Sequence, residues 1–337
     1  MTPELKLKAV NDPLFIRIGD LKLEPISWQI EGILEADTLS GIVGPSGSGK
    51  SFVALDMALS IASGENFHNN PVKKGAILFC AGEGKHGLNR RVKAWSKNRN
   101  IMRSDLPFYI SQKTILMHDP YMVEAVKKEA EDIGNVRLVI IDTMARSFGG
   151  HNENNPQDMG AFIAACDYLK DSLKCTVTVV HHTGHGDKDR ARGHSSFYAA
   201  LDSEILVKAV GEHNIQISST KMKDATPFKP MEFLKISIPV IDDETSLALE
   251  LVPTRERPSK LTLAQAYTFQ SFKEATKGRV SSDGLHLDDW RPIFHKGHVG
   301  DNPDSKNKAF QRGRDALVEK GFLKVENYIF YLGDKAT

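Results

Sequence analysis

The chain has 337 residues, enough for one large domain and a small one, each with its own hydrophobic core. Its 44 lysines and arginines against 43 aspartates and glutamates leave a formal charge of +1, so bulk electrostatics demands neither nucleic acid nor an anionic membrane. Any nucleic-acid contact has to come from local patches.

Residues 1–38 read as short strands and turns. The first ten alternate charge with leucine and lack the apolar core of a signal peptide. No apolar run approaches the roughly 18 residues of a membrane span. Cys80, Cys166 and Cys175 lie far apart in apolar surroundings and read as buried free thiols of a reducing compartment. The expected location is the cytoplasm, with no membrane partner.

An apolar run at 39–43 reads as a buried strand, and 52–62 as an apolar helix. Between them stands Gly44-Pro45-Ser46-Gly47-Ser48-Gly49-Lys50-Ser51, which fits G-x-x-x-x-G-K-[ST] at every position. Glycines let successive N–H groups turn inward on phosphates, and the helix N-terminus adds positive partial charge. Lys50 is expected to reach the β/γ-phosphates and the Ser51 hydroxyl to ligate Mg²⁺, with Phe52 closing the binding stretch. A chance Gly/Ser loop would lack these flanks, so the chain is expected to bind a nucleoside triphosphate.

Beyond the loop, β-type runs at 76–80, 108–111, 138–141, 176–180 and 204–207 alternate with helical patterns at 87–97, 121–133 and 156–173. Asn155 before Pro156 is a helix start, a capping side chain followed by proline at the first helical position. Alternation of this kind predicts an α/β fold with a mostly parallel central sheet. After residue 204 the pattern changes to strands alone, at 204–210, 214–220, 232–238 and 246–251, with a hairpin turn at 212–214. A charged, proline-bracketed stretch reads as a linker. The expected division is therefore 1–252, a linker at 253–260, and a second unit at 261–337.

Three strand ends carry candidate chemistry. The run 138–141 ends in Asp142, expected on a strand beside the phosphate-loop strand and assigned to the metal. The strand at 76–80 leads to Glu83, placed where ligands gather in open α/β sheets and suited to orient an attacking water. Asp142 is its competitor for that role, and a solvated loop carboxylate the bland alternative. The strand at 176–180 ends in His181, His182 and Thr183, one of which could read the γ-phosphate. Zinc on His181, His182, His185 and His194 is disfavoured, because consecutive strand residues face opposite ways.

Taken together, the phosphate loop, the Ala81-Gly82-Glu83-Gly84 strand end, Leu88-Asn89-Arg90-Arg91, Asp142-Thr143 and His181-His182-Thr183-Gly184 resemble one branch of the RecA-like P-loop ATPases. It is the RepA-type branch of hexameric plasmid and phage replicative helicases, related to DnaB and KaiC. The resemblance covers about 25–250 and implies a RecA-like core, ATP with Mg²⁺, and a homo-oligomer, a hexameric ring. It implies that Glu83 activates water and that His182, or failing it His181, senses the γ-phosphate. It also implies that Lys221 and Lys223 reach into the neighbouring subunit's nucleotide. DnaB-like helicases usually have arginine where Lys223 stands, and lysine makes a point-charge contact. The polar loops 146–154 and 184–196 are then pore loops for single-stranded DNA, with Lys188, Arg190 and Arg192 on phosphates.

The last unit reads as helices at 263–275, 287–296 and 305–320, a stop at Gly321, and a hairpin about residues 326–327. By pattern it resembles a winged helix-turn-helix. Its third helix would present Lys306, Lys308, Arg312 and Arg314 to duplex DNA and bury Phe310, Leu317 and Val318. Such units also dock proteins. The function this predicts is a DNA-dependent ATPase, a ring-forming replicative helicase. The alternative is a KaiC-like regulatory ATPase, a helicase loader or a defence ATPase.

Overall fold

The computed structural model describes residues 15–82, 85–184, 192–242, 244–252, 261–277, 284–297 and 302–333. Glu83, Lys188, Arg190 and the linker at 253–260 lie outside them. The chain forms two compact units, Met1–Pro253 and Thr254–Thr337.

The first unit opens with a small ribbon, β1 (Trp28–Ile30) and β2 (Leu34–Glu35). The phosphate-loop strand β3 (Leu39–Gly44) follows, buried throughout, and runs through the loop into α1 (Lys50–Ser63). Then come β4 (Ala76–Ala81), α2 (Lys85–Arg99), β5 (Phe108–Ile110), α3 (Pro120–Ile133) and β6 (Val136–Asp142). A short α4 (Met144–Ser147) leads to α5 (Pro156–Leu173), β7 (Thr176–His182) and the five-residue α6 (Ser196–Ala200). Helix α5 begins where Asn155 accepts from the amides of Gln157 and Asp158 and Pro156 takes the first position. The unit closes with β8 (Ser203–Val210), β9 (Asn214–Met222), β10 (Met231–Ile241) and β11 (Glu244–Leu251).

These strands make one nine-stranded sheet in the order β11-β10-β9-β8-β3-β7-β6-β4-β5. It is parallel from β8 to β5 and antiparallel from β8 to β11. Strand alternation divides the core between two faces. Ile42, Ile77 and Phe79 pack with Val53 of α1 and Trp95 of α2, whereas Leu39, Leu78 and Cys80 pack with Val123 of α3 and Phe162 of α5. Asp56 of α1 is buried and accepts from Trp95 Nε1 at 2.6 Å, with His68 Nε2 2.8 Å away, which joins α1, α2 and the loop between α1 and β4. All three cysteines are free and buried, and burial pushes the Cys80 and Cys175 thiols up to about 12 and raises Cys166 as well.

One expectation is corrected by this order. The Asp142 strand does not abut the phosphate-loop strand, because β7 pairs with β3 on one side (Gly44 opposite His182) and with β6 on the other (Asp142 opposite Val180). Six of the seven β7 residues are buried, and such a run belongs where both faces are covered. The histidines therefore end the strand next to the phosphate loop, and Asp142 stands one strand further out. Among the described residues no helix is long and apolar enough to cross a membrane.

The second unit consists of α7 (Leu263–Ala275), β12 (Leu285–His286), α8 (Leu287–Gly297), α9 (Pro303–Glu319), β13 (Leu323–Glu326) and β14 (Ile329–Leu332). A capping box between Thr262 and Gln265 starts α7. Trp290 is the centre of its core, meeting Phe272, Phe310 and Phe330 edge-on and donating to Ser271 Oγ at 3.0 Å. The β13–β14 turn holds Asn327 and Tyr328 at φ 49° and 65°, the two positive values a tight two-residue hairpin needs. The two-residue β12, which completes a three-stranded antiparallel sheet in the order β12-β14-β13, has no counterpart in the sequence reading. On α9, Phe310 and Leu317 are buried and Val318 half-buried. The expected basic face is smaller than four residues. Lys306 Nζ donates to the His295 carbonyl at 3.3 Å and Arg314 lies over the Phe330 ring, leaving Lys308 and Arg312 exposed.

Candidate nucleotide site

The loop after β3 is shaped by close approach. A Cβ on Gly44 would lie 2.2 Å from the Val207 carbonyl oxygen of β8, and one on Gly49 would lie 2.3 Å from Ile215 Cδ1 of β9. Gly47 and Gly49 also take φ of +75° and +99°, a region side-chain-bearing residues avoid. The bend leads into the head of α1, where the first N–H groups have no intrahelical acceptor and such a helix start suits an anion. Among the described residues Ser48 Oγ and Thr183 Oγ1 are buried without a hydrogen-bond partner. A cradle of amides with two unanswered buried hydroxyls fits a phosphate chain. Ser51 and Phe52 follow in the first turn of α1, both half-buried, with Arg91 of α2 over the Phe52 ring at 4.7 Å.

Lys50 is buried at the head of α1 and its ammonium donates to the carbonyls of Gly44 at 2.9 Å and Pro45 at 2.8 Å. His182 Nδ1 lies 3.3 Å from the same nitrogen. An ammonium has no lone pair, so His182 accepts there, which assigns its proton to Nε2. His181 faces the other way, buried against Phe197, with Nε2 donating to the Arg192 carbonyl at 2.9 Å. Burial pushes its pKa down to about 4 against the opposing effect of that bond, so it is neutral near pH 7. The two histidines serve opposite faces of β7, as strand alternation requires.

Asp142 ends β6, nearly buried, and its carbonyl accepts from the Gly82 amide at 2.7 Å. That bond ties the segment leading to Glu83 to the β6 end. Ser51, on the helix that follows the phosphate loop, and Asp142 are the side chains chemically suited to a divalent metal here.

Beyond the strand ends the two expected DNA loops meet. Arg192 forms a bidentate pair with Glu153, Nε and Nη each donating at 3.0 Å, and its amide donates to the His182 carbonyl at 2.9 Å. Arg192 is thus engaged by a carboxylate in this structure while remaining exposed. Glu153 was not singled out from sequence, where it reads as one polar loop residue among several. Its own loop is held by Asp158, whose carboxylate accepts from the Asn152 amide at 2.9 Å and faces His151. The amide bond holds that carboxyl below the usual range.

Lys221 and Lys223 lie elsewhere. Lys221 of β9 sits opposite Glu204, and Met222 opposite Ser203, which pairs with Ser40 near the start of β3. They therefore stand toward the sheet end opposite the phosphate loop and cannot serve their own chain's nucleotide. Lys221 Nζ donates to the carbonyls of Tyr198 at 2.6 Å and Ala199 at 3.1 Å and lies over the Tyr198 ring. Burial, then the neighbouring Lys223, lowers its pKa. Lys223 Nζ donates to Asp202 at 2.9 Å.

Fold and loop together define a P-loop ATPase. The family model AAA_25, an AAA domain, matches residues 2–188, more than half of the 337, and the chain belongs to that family. The match takes in the phosphate loop, Asp142 and both histidines, and stops before β8. Among solved structures, the RadB recombinase is similar at 14% identity and a TM-score of 0.46, over 59% of this chain and 87% of that one.

Proposed function

We propose that this chain is an ATP-hydrolysing, DNA-dependent RecA-like motor of the RepA type, a ring-forming replicative helicase of a plasmid, phage or mobile element. One observation carries the reading. A continuous set of contacts runs from Lys50 Nζ to His182, from the His182 carbonyl to the Arg192 amide, and from the Arg192 guanidinium to Glu153. Phosphates that draw Lys50 onto themselves take its proton donor from His182 and free that side chain to turn. Because His182 and Arg192 share a backbone bond, the turn is felt where both loops join. Mg²⁺ held by Ser51 and Asp142 would supply charge neutralisation on the phosphates. Glu83 orients the attacking water. The second unit, a winged helix in this reading, meets duplex DNA or a protein through Lys308 and Arg312. The test is whether single-stranded DNA raises ATP turnover and whether the protein displaces an annealed strand. Turnover indifferent to DNA defeats the motor reading.

The carboxylates separate in a second experiment. Glu83→Gln is expected to bind ATP and Mg²⁺ normally and to turn over about 100-fold or more slowly, the loss expected of a general base. If Asp142→Asn instead keeps metal binding and abolishes only turnover, the two roles are reversed.

Replacing Lys188, Arg190 and Arg192 together is expected to weaken single-stranded DNA binding and leave DNA-free ATPase intact. Each lost phosphate contact flattens the log–log salt slope by about 0.7. A change of about 2.1 means Arg192 leaves Glu153 for DNA, and about 1.4 means it stays. An unchanged slope removes these residues from the interface.

A second reading, a KaiC-like regulatory ATPase, rests on Lys221 and Lys223 both being held within their own chain. In that reading the lysines stay where they are.

A further inference from the structure

The polar loops that follow β6 and β7 meet at the Glu153–Arg192 pair, and the backbone on both sides of it is fixed. Arg192 is held at its amide, which donates to the His182 carbonyl, and at its own carbonyl, which accepts from His181 Nε2. Glu153 is held across the junction, where its carbonyl accepts from the His194 amide at 2.9 Å. Gly193 stands between the two, at φ +87°, and a Cβ there would lie 2.9 Å from that same carbonyl oxygen. The crossing is close enough to need glycine.

With both main chains pinned, side chains alone decide what Arg192 holds. Its Nε and Nη2 donate at 3.0 Å to separate oxygens of Glu153. This side-on fork is the geometry with which arginine takes a phosphate. The carboxylate is the covered partner, its side chain 13% exposed against 42% for the arginine. Glu153 is also the one acidic residue of 146–154, whose other members are arginine, serine, phenylalanine, glycine, histidine and asparagine. A carboxylate in a loop that receives phosphates works against binding unless it has a task of its own.

We propose that Glu153 stands in for a DNA phosphate on Arg192, so that the two loops are closed on each other until a nucleic-acid strand displaces the carboxylate. The inference rests on the reading of these loops as DNA loops and adds an internal competitor to it. A phosphodiester brings one negative charge and two acceptor oxygens, as the carboxylate does, so the bonds lost are replaced in kind. A partly exposed ion pair is weak enough to be exchanged. A strand drives the exchange because several phosphates arrive together and release counterions, an advantage no single free anion has. The contact thus selects a polyanion over free phosphate.

The experiment compares full-length Glu153→Gln with the parent in fluorescence anisotropy on a labelled oligo-dT, with Mg²⁺ and a non-hydrolysable ATP analogue present. The substitution keeps the side chain's shape and removes its charge, and thermal melting checks the fold. Affinity at low salt is expected to rise about 2- to 5-fold, the worth of a partly exposed ion pair. In an Arg192→Ala background the same substitution is expected to leave affinity unchanged. Adding Arg192→Ala to Glu153→Gln is expected to flatten the log–log salt slope by about 0.7, one phosphate contact. An equal gain with and without Arg192 marks a general charge effect and overturns the proposal. Unchanged or weaker binding by Glu153→Gln overturns it too, and makes Glu153 a support for Arg192 rather than its competitor. In both cases the DNA-loop reading stands, because the parent binds the strand. No binding by parent or variant overturns the reading and the proposal together.

Discussion

Lys50→Ala is expected to abolish measurable ATP hydrolysis and sharply weaken nucleotide binding. The side chain is buried at the head of α1, and its ammonium is the charge closest to the phosphate cradle. Removing a preorganised group of this kind from a water-poor site costs a factor of about 100 to 1,000 or more in turnover. The variant also loses two hydrogen bonds, leaving the carbonyls of Gly44 and Pro45 without the ammonium they accept from. Each carbonyl keeps a backbone donor, Thr183 N on Gly44 and Ser48 N on Pro45, so the accompanying loss in stability is about 0.5–1.5 kcal/mol per bond. Thermal melting beside an ATPase assay separates the two effects. Hydrolysis should vanish while the fold persists, and turnover like the parent's in a folded Lys50→Ala protein would sink the ATPase assignment.

Much of this site is legible in the sequence because the phosphate loop is local. Eight consecutive residues with a strand before and a helix after specify a backbone path, and Gly44 and Gly49 stand where any side chain would collide. Helix boundaries with caps were equally readable, and α5 runs from Pro156 to Leu173 as Asn155-Pro156 and the pattern predict. Strand neighbours were not readable. Periodicity marks β7 as buried but says nothing of which strands flank it, so its place between β3 and β6 had to come from the fold. Ion pairs across loops are hidden for the same reason. Arg192 and Glu153 are 39 residues apart, and each alone resembles a solvated charge. The captivity of Lys221 depends on the end of a five-residue helix whose carbonyls no sequence pattern advertises.

The position of Lys221 and Lys223, toward the sheet end opposite the phosphate loop, leaves them only one route to a nucleotide, that of a neighbouring subunit. If they take it, each active site is shared and a monomer is nearly inactive, so specific activity rises with protein concentration. Their present partners set what must be exchanged: Lys223 leaves Asp202, and Lys221 leaves the carbonyls of Tyr198 and Ala199. The Lys223–Asp202 pair is exposed, and an exposed ion pair is worth about 0–1 kcal/mol, little beside a charge on a triphosphate. Lys223→Ala is therefore expected to keep ATP binding and assembly and to lose hydrolysis. Mixing it with Lys50→Ala gives the sharper readout. A joint whose phosphate loop comes from the Lys223→Ala subunit and whose lysine comes from the Lys50→Ala subunit is complete, so mixtures regain activity that neither parent shows. Absence of rescue is weak counter-evidence, since a ring in which every site must fire would also stay silent. Full activity from a confirmed monomer is the strong result against it. It would leave both lysines as fixtures of their own chain and favour the regulatory ATPase over the helicase.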